Sequence, residues 1–217
     1  MSDNTSATGG YIRDLPPGPI SAEDIETALQ AMASALSGLP GNMVRPRWQP
    51  TPPVQPDVSQ TWASIGATMT EADEYPAIIH VGGTILPGQT NPGYSIMQRH
   101  QTLTVVVTFY GPNADGAASS LRDALYITQN WEPLLPQGIK LRTVHDLARV
   151  PEQINQQYID RVDLRIEFRL QQNRIYPIFD LAGADVTITA DSGIAREVEV
   201  RPVGSPAPAI RRGPPAR

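Results

Sequence analysis

The chain has 217 residues, 17 Lys plus Arg against 22 Asp plus Glu, a net charge of −5, and 40% hydrophobic residues. That length suits one domain with extensions, or at most two small domains, and the acidic balance argues against general nucleic-acid binding, which needs clustered Lys and Arg. There is no cysteine, which excludes disulfides, thiolate metal sites and thiol nucleophiles and fits a reducing compartment.

No apolar run approaches the ~20 residues that span a bilayer. The opening stretch, MSDNTSATGGYIRDLPPGP, lacks the basic start and hydrophobic centre of a secretory leader. A soluble intracellular protein is the expectation. The 22 prolines and 17 glycines exceed the usual share of about 12% for the two together, and they are concentrated in particular segments.

Residues 1–19 are polar and rich in Gly and Pro, which predicts a flexible N-terminal arm. A helix follows over 21–38. Ser21 is its N-cap, Asp24 takes the capping-box position three residues on, and Ile20 and Ile25 form a hydrophobic staple. Ile25, Leu29, Met32 and Leu36 make one face, and Gly38 and Pro40 stop it. The proline-dense stretch 40–57 reads as an extended connector anchored by Trp48. Strands are expected at Trp62–Met69 and Ala77–Val81, then a long polar loop over Gly82–Gly93.

Gln98–Tyr110 is a strong strand, with Leu103, Val105, Val107 and Phe109 on one side and Thr102, Thr104 and Thr108 on the other. Gly111-Pro112-Asn113 ends it and caps a second helix, whose inner stripe is Ala117, Leu121, Ala124, Leu125 and Thr128. Ile139–Val144 is a shorter strand, and His145–Gln157 an irregular connection. The segment Asp160–Leu170 alternates sharply. Val162, Leu164, Ile166, Phe168 and Leu170 share one face; Arg161, Asp163, Arg165, Glu167 and Arg169 share the other. A C-terminal hairpin over Asp185–Val200 turns at Asp191-Ser192-Gly193, and the Pro/Arg-rich tail 204–217 follows.

The expected fold is therefore α+β: a mainly antiparallel sheet of about four to five strands, two helices packed on one face, a C-terminal β-hairpin and extended arms. The domain plan is an arm 1–19, a core 20–180, a hairpin 181–203 and a tail 204–217. The other face of the sheet, with its threonines and charges, is expected to lie uncovered in the single subunit.

Motifs for chemistry are weak. Asp191-Ser192-Gly193 looks like the turn of aspartic proteases, whose paired aspartates activate water, but Asp-x-Gly is also ordinary hairpin-turn chemistry. His80, His100 and His145 have no second ligand at a metal-binding spacing. Gly82-Gly83 with Gly88 lacks the Lys-Ser/Thr end of a phosphate loop, and no cofactor is expected. A solvated strand face is the ordinary reading of the charged stripe. The long extensions and the lack of a catalytic constellation favour instead a surface that sets register and partner choice.

The order and texture of these elements resemble the tail terminator (neck) proteins of long-tailed bacteriophages. The features that carry the likeness are the capped helix 21–38, "TWASIGATMT" (61–70), "PAIIHVGG" (76–83), "RHQTLTVVVTFYGPNA" (99–114) running into a helix, and "YIDRVDLRIEFRL" (158–170). They span about residues 20–175. The resemblance implies a non-enzymatic virion protein of the head-tail junction, assembled in the host cytoplasm as a homohexameric ring. Such a ring caps the tail tube, stops its polymerisation and joins it to the stopper or head-completion ring. Sheath protein is a further partner in contractile tails, and DNA passes through the lumen without sequence-specific binding. On this reading Arg161, Asp163, Arg165, Glu167 and Arg169 make inter-subunit or lumen contacts. The alternatives are another virion part (stopper, tube subunit or minor capsid protein) or an aspartic hydrolase using Asp191.

Overall fold

In the computed structural model, the described residues are 9–51, 53–86, 89–91, 93–154, 157–178, 184–189 and 195–200. They divide into two compact units.

The larger unit comprises Pro17–Ala77 and Met97–Arg174. Helix α1 (Ala22–Ser37) begins at Ser21, whose hydroxyl oxygen accepts from the Asp24 backbone N–H at 3.0 Å and donates to the Asp24 carboxylate at 2.6 Å. The aspartate is too short for the usual return bond to the backbone, so it grips the capping hydroxyl instead. Gly38 ends the helix in the left-handed conformation, φ 75°. The proline-dense connector is more ordered than its composition suggests. It contains a 3-10 turn (Gly41–Met43) and a three-residue strand β1 (Val44–Pro46), paired parallel with β2 (Trp62–Ala72). An edge position tolerates Pro46, which has no N–H to give.

The sheet's path runs β1–β2–β6–β11–β7, where β6 is Tyr94–Tyr110, β11 Arg161–Tyr176 and β7 Ile139–Val144. Between them in the chain come β3 (Ala77–Val81), β4 (Thr84–Leu86) and β5 (Gln89–Asn91), then β8 (Ala148–Arg149), β9 (Glu152–Ile154) and β10 (Gln157–Ile159). Strand β3 pairs with β6 and β8 with β11, so two short strands branch from the five-strand path. Strand β1 runs parallel to β2, while β2 with β6, β7 with β11 and β8 with β11 are antiparallel. The segment after His145, expected to be irregular, holds β8 and the β9–β10 ladder.

Register fixes which side is core. Ala63 faces Phe109, Ile65 faces Val107, Ala67 faces Val105 and Met69 faces Leu103 across β2 and β6. Leu103, Val105, Val107 and Phe109 join Val162, Leu164, Ile166, Phe168 and Leu170 of β11 in one buried cluster. Helix α1 contributes Ile25, Leu29, Met32 and Ala33, and α2 (Ala114–Ala124) contributes Ala114, Ala117, Ala118 and Leu121. Both helices thus cover the same face. The expected inner stripe of α2 ends early. Leu125 is buried, but Thr128 is exposed, because a 3-10 turn (Thr128–Asn130) redirects the chain there. Asn113 precedes α2 without a side-chain cap; its backbone N–H is held by the Thr61 hydroxyl at 3.0 Å.

The smaller unit includes Ile78–Ile96 and the chain from Ile175 onward, with the N-terminal stretch up to Pro16. Its elements are most of β3, the start of β6, the β4–β5 ladder and the hairpin of β12 (Ala184–Thr189) with β13 (Ala195–Val200). The β4–β5 ladder lies within the stretch read from sequence as a loop. Leu15 bridges to Ile175, and His80 Nδ1 lies 2.6 Å from the Ser95 hydroxyl. The hairpin has the expected strands; its Asp191 turn falls outside the described residues, as do residues 1–8 and 204–217.

Gly111 joins β6 to α2 with φ 100°, and a Cβ there would sit 2.4 Å from the Gln60 carbonyl oxygen. Gly111→Ala is expected to destabilise the protein by more than the ~1–2 kcal/mol of a left-handed alanine alone, because backbone must also move. Gly38→Ala, where a Cβ would meet nothing within 4 Å, should lose only that smaller amount. Paired urea denaturation curves check the difference.

Candidate functional site

The face of the sheet away from the helices carries the charge. On β2 and β6 it presents Ser64 opposite Thr108, Gly66 opposite Val106, Thr68 opposite Thr104, and Thr70 opposite Thr102. On β11 it presents the five expected residues, Arg161, Asp163, Arg165, Glu167 and Arg169, because their even-numbered neighbours fill the core. Lys140 of β7 stands opposite Arg169.

The register between β7 and β11 slips between Glu167 and Phe168. One extra β7 residue is accommodated, and a bulge of this kind turns a side chain that alternation would place elsewhere. Arg142 profits. Its Nη1 donates to the Thr102 hydroxyl at 3.1 Å and lies 3.9 Å from the Glu167 carboxylate. Strict period-two counting from sequence gives no means of finding this slip.

The stripe resolves into two ion-pair groups within one subunit. Arg161 holds Asp163 through two bonds, 3.1 and 2.9 Å, and reaches Glu152 at 3.3 Å. Glu167 accepts from Arg165 at 2.9 Å and from His145 Nε2 at 3.1 Å. Its carboxyl is held below the usual range, first by the His145 bond and then by the charges of Arg165, His145 and Arg142. Arg169 has no ion pair among the described residues, but its charge reaches Asp73. Asp73 is held low mainly by the His100 backbone N–H, which donates to it at 3.0 Å, while the His100 ring sits 3.2 Å away.

Part of this face is covered, contrary to the sequence expectation. The chain leaving β1 crosses it. Arg47 Nη2 donates to the Thr108 hydroxyl, which is fully buried, and Trp48 lies over Gly66, where a Cβ would be only 3.0 Å from the indole. Trp48 itself remains 56% exposed. It anchors the connector through one edge of its ring and leaves the rest open. On the same face Trp62 stacks on Tyr110, with centroids 4.5 Å apart, and the Arg45 guanidinium lies 5.9 Å from the Trp62 ring. Burial pushes the Tyr110 phenol up. Arg45, Arg47, Trp62 and Tyr110 line a cleft of about 330 Å³. A second cleft of about 290 Å³ is lined by Asp73, His100, Thr102, Arg142 and Arg169.

None of these groupings is a reaction centre of a recognisable kind. The three histidines make separate local contacts, and among the described residues no group of three or more His, Asp or Glu is placed to hold a metal. No helix among them is long and apolar enough to cross a membrane. The pattern of the phage neck terminator protein family matches residues 23–193. The chain belongs to that family. No curated protein matches it. Neck terminators are structural proteins of the virion, and the match extends past the 20–175 stretch that carries the likeness in sequence to include β12, ending before β13. For a neck terminator, the ion-paired outer face is of interest as a surface.

Because Glu167 is depressed when folded, its ion pairs stabilise the terminator fold above the unfolded carboxylate's pKa. That contribution disappears as pH falls through the lower folded value. Glu167→Gln should therefore lower the melting temperature at pH 7, by the equivalent of ~1 kcal/mol or less. The difference from wild type should shrink as pH falls through the folded carboxyl's lowered pKa. Calorimetric melts across pH check this.

Proposed function

We propose that the protein forms a closed ring at the head end of the phage tail, a homohexamer that caps the tail tube and stops its polymerisation. The ring joins the tail to the stopper or head-completion ring, and it anchors sheath protein where the tail is contractile. It is assembled in the host cytoplasm and resides in the virion neck, with DNA passing through its lumen. Membership of the neck terminator family carries this reading. The outer face adds support: it is a broad, rigid strand surface dense in Arg and acid, and charged strand positions govern choice and register of partners.

Arg161, Asp163, Arg165, Glu167 and Arg169 are the proposed inter-subunit or lumen contacts. Four of the five already pair within the subunit. Reversing Arg165 and Glu167 together would restore their own pair whatever the neighbour does, so that exchange does not report on assembly. Arg169 is the informative position, because no carboxylate in the subunit is bonded to it among the described residues. Exposed apolar side chains after α2, Tyr126 at 70% and Ile127 at 57%, offer further contact area for neighbouring virion parts. Residues 1–19 and 204–217 are proposed to bind adjoining rings.

Mass measurement in solution followed by negative-stain imaging is expected to show closed rings of uniform size. Open filaments would instead fit a tube-like subunit, and a single chain at millimolar concentration would overturn the reading. Removing 204–217 is expected to leave the melting temperature unchanged while lowering the yield of joined particles when purified heads and tails are mixed.

A further inference from the structure

The charges left over after internal pairing differ in sign on the two sides of the larger unit. Among the described residues, the outer face holds seven cations: Arg45, Arg47, Lys140, Arg142, Arg161, Arg165 and Arg169. They stand against four acids, Asp73, Glu152, Asp163 and Glu167. The whole chain carries −5, so a face with an excess of three positive charges leaves −8 for everything else. The excess is not spread evenly. Arg45, Arg47, Lys140 and Arg169 have no carboxylate within ion-pair distance among the described residues. Arg45 and Arg47 spend their guanidiniums on carbonyl and hydroxyl oxygens. Arg47 is exposed and bonded only to a neutral hydroxyl, which leaves its charge available to an arriving anion.

The helical side is the converse. Asp115 and Asp123 of α2 are each bonded to an arginine, Arg149 and Arg122. Helix α1 contains Glu23, Asp24 and Glu26 and no Lys or Arg, and neither glutamate has a cation partner among the described residues. Helix α1 packs on the core face of the sheet, so its exposed acids and the unpaired cations point away from opposite sides of one layered body.

We infer that the outer sheet face of one subunit docks against the acidic outer side of α1 in a second copy of this chain. Two different, complementary patches on opposite sides make a head-to-tail contact, the kind that propagates around a ring. The unpaired cations supply the attraction, and the clefts beside Arg45 and Arg169 supply room for the glutamate side chains. Nucleic acid is the less favoured occupant, since four interspersed carboxylates would repel its phosphates. The inference rests on the ring reading above and specifies which surfaces meet in it.

The test uses two full-length variants: Lys140→Glu/Arg169→Glu, with a reversed outer face, and Glu23→Lys/Glu26→Lys, with a reversed helix. Glu23, Lys140 and Arg169 are exposed and Glu26 is half-buried; the changes leave Ser21 and Asp24 to cap α1, and thermal melts confirm that each variant is folded. By sedimentation, each alone is expected to self-associate at least ~tenfold more weakly than wild type. An equimolar mixture should regain assembly, because each variant's altered patch then meets its complement on the other. Wild-type rings alongside variants that assemble equally well alone would overturn the docking mode while leaving the ring intact. So would folded variants that stay apart when mixed. A wild-type chain that never assembles would overturn the ring reading and this inference with it. Binding of a DNA duplex by wild type, lost in Lys140→Glu/Arg169→Glu while assembly is unchanged, would assign the face to nucleic acid instead.

Discussion

The sandwiching of β11 within the sheet is the constraint on which the remaining architecture depends. Val162, Leu164, Ile166, Phe168 and Leu170 are almost wholly excluded from water, with β6 on one side and β7 on the other. A slip of one residue would drive three arginines and two acids into that core, at a cost far above the stability of a domain this size. Burial of the even-numbered residues thereby dictates the position of every odd-numbered charge. The ion pairs are individually weak. They inherit their geometry from the core and do little to create it.

The same constraint explains why so much could be read from the sequence. Segments with an unbroken period showed themselves: the 3.6-residue stripe of α1, the alternation of β6 and β11, and the apolar and capping residues at 20–25 are all local signals. The face carried by Arg161 to Arg169 was legible because burying one side of a strand determines the other. The less legible parts depend on partners distant in sequence. Three residues at Val44–Pro46 look like proline-rich coil until β2 offers a parallel edge. Thr128 continues the stripe of α2 on a helical wheel, but the chain has left the helix by then. Arg142 reaches the outer face through a bulge against β11, which nothing within Ile139–Val144 announces.

Pairing partners were the least visible feature of the candidate surface. From sequence, Arg165 and Glu167 are two opposite charges on one face, equally able to seek a neighbour or each other. Side chains two apart on a strand lie within reach along the same face, and the structure joins them to His145 from the connection after β7. What distinguishes Arg169 from Arg165 is therefore not its position in the alternation but its surroundings, with Lys140 across the ladder where a carboxylate could have stood. The cover over Thr108 was equally hidden, since it depends on Arg47 and Trp48, about sixty residues earlier in the chain.

The two ends of the five-strand path bear on how such a subunit can grow into something larger. At one end lies β1, three residues long and closed by a proline. At the other lies β7, kinked by its bulge and studded with Lys140 and Arg142. Brevity, proline, bulges and cations are the devices by which natural sheets refuse an incoming strand. Backbone-to-backbone extension, the route that leads to fibres, is thus discouraged along both margins of the larger unit. Anything that approached those margins would have to bind through side chains rather than backbone, and side chains can discriminate between partners where backbone cannot.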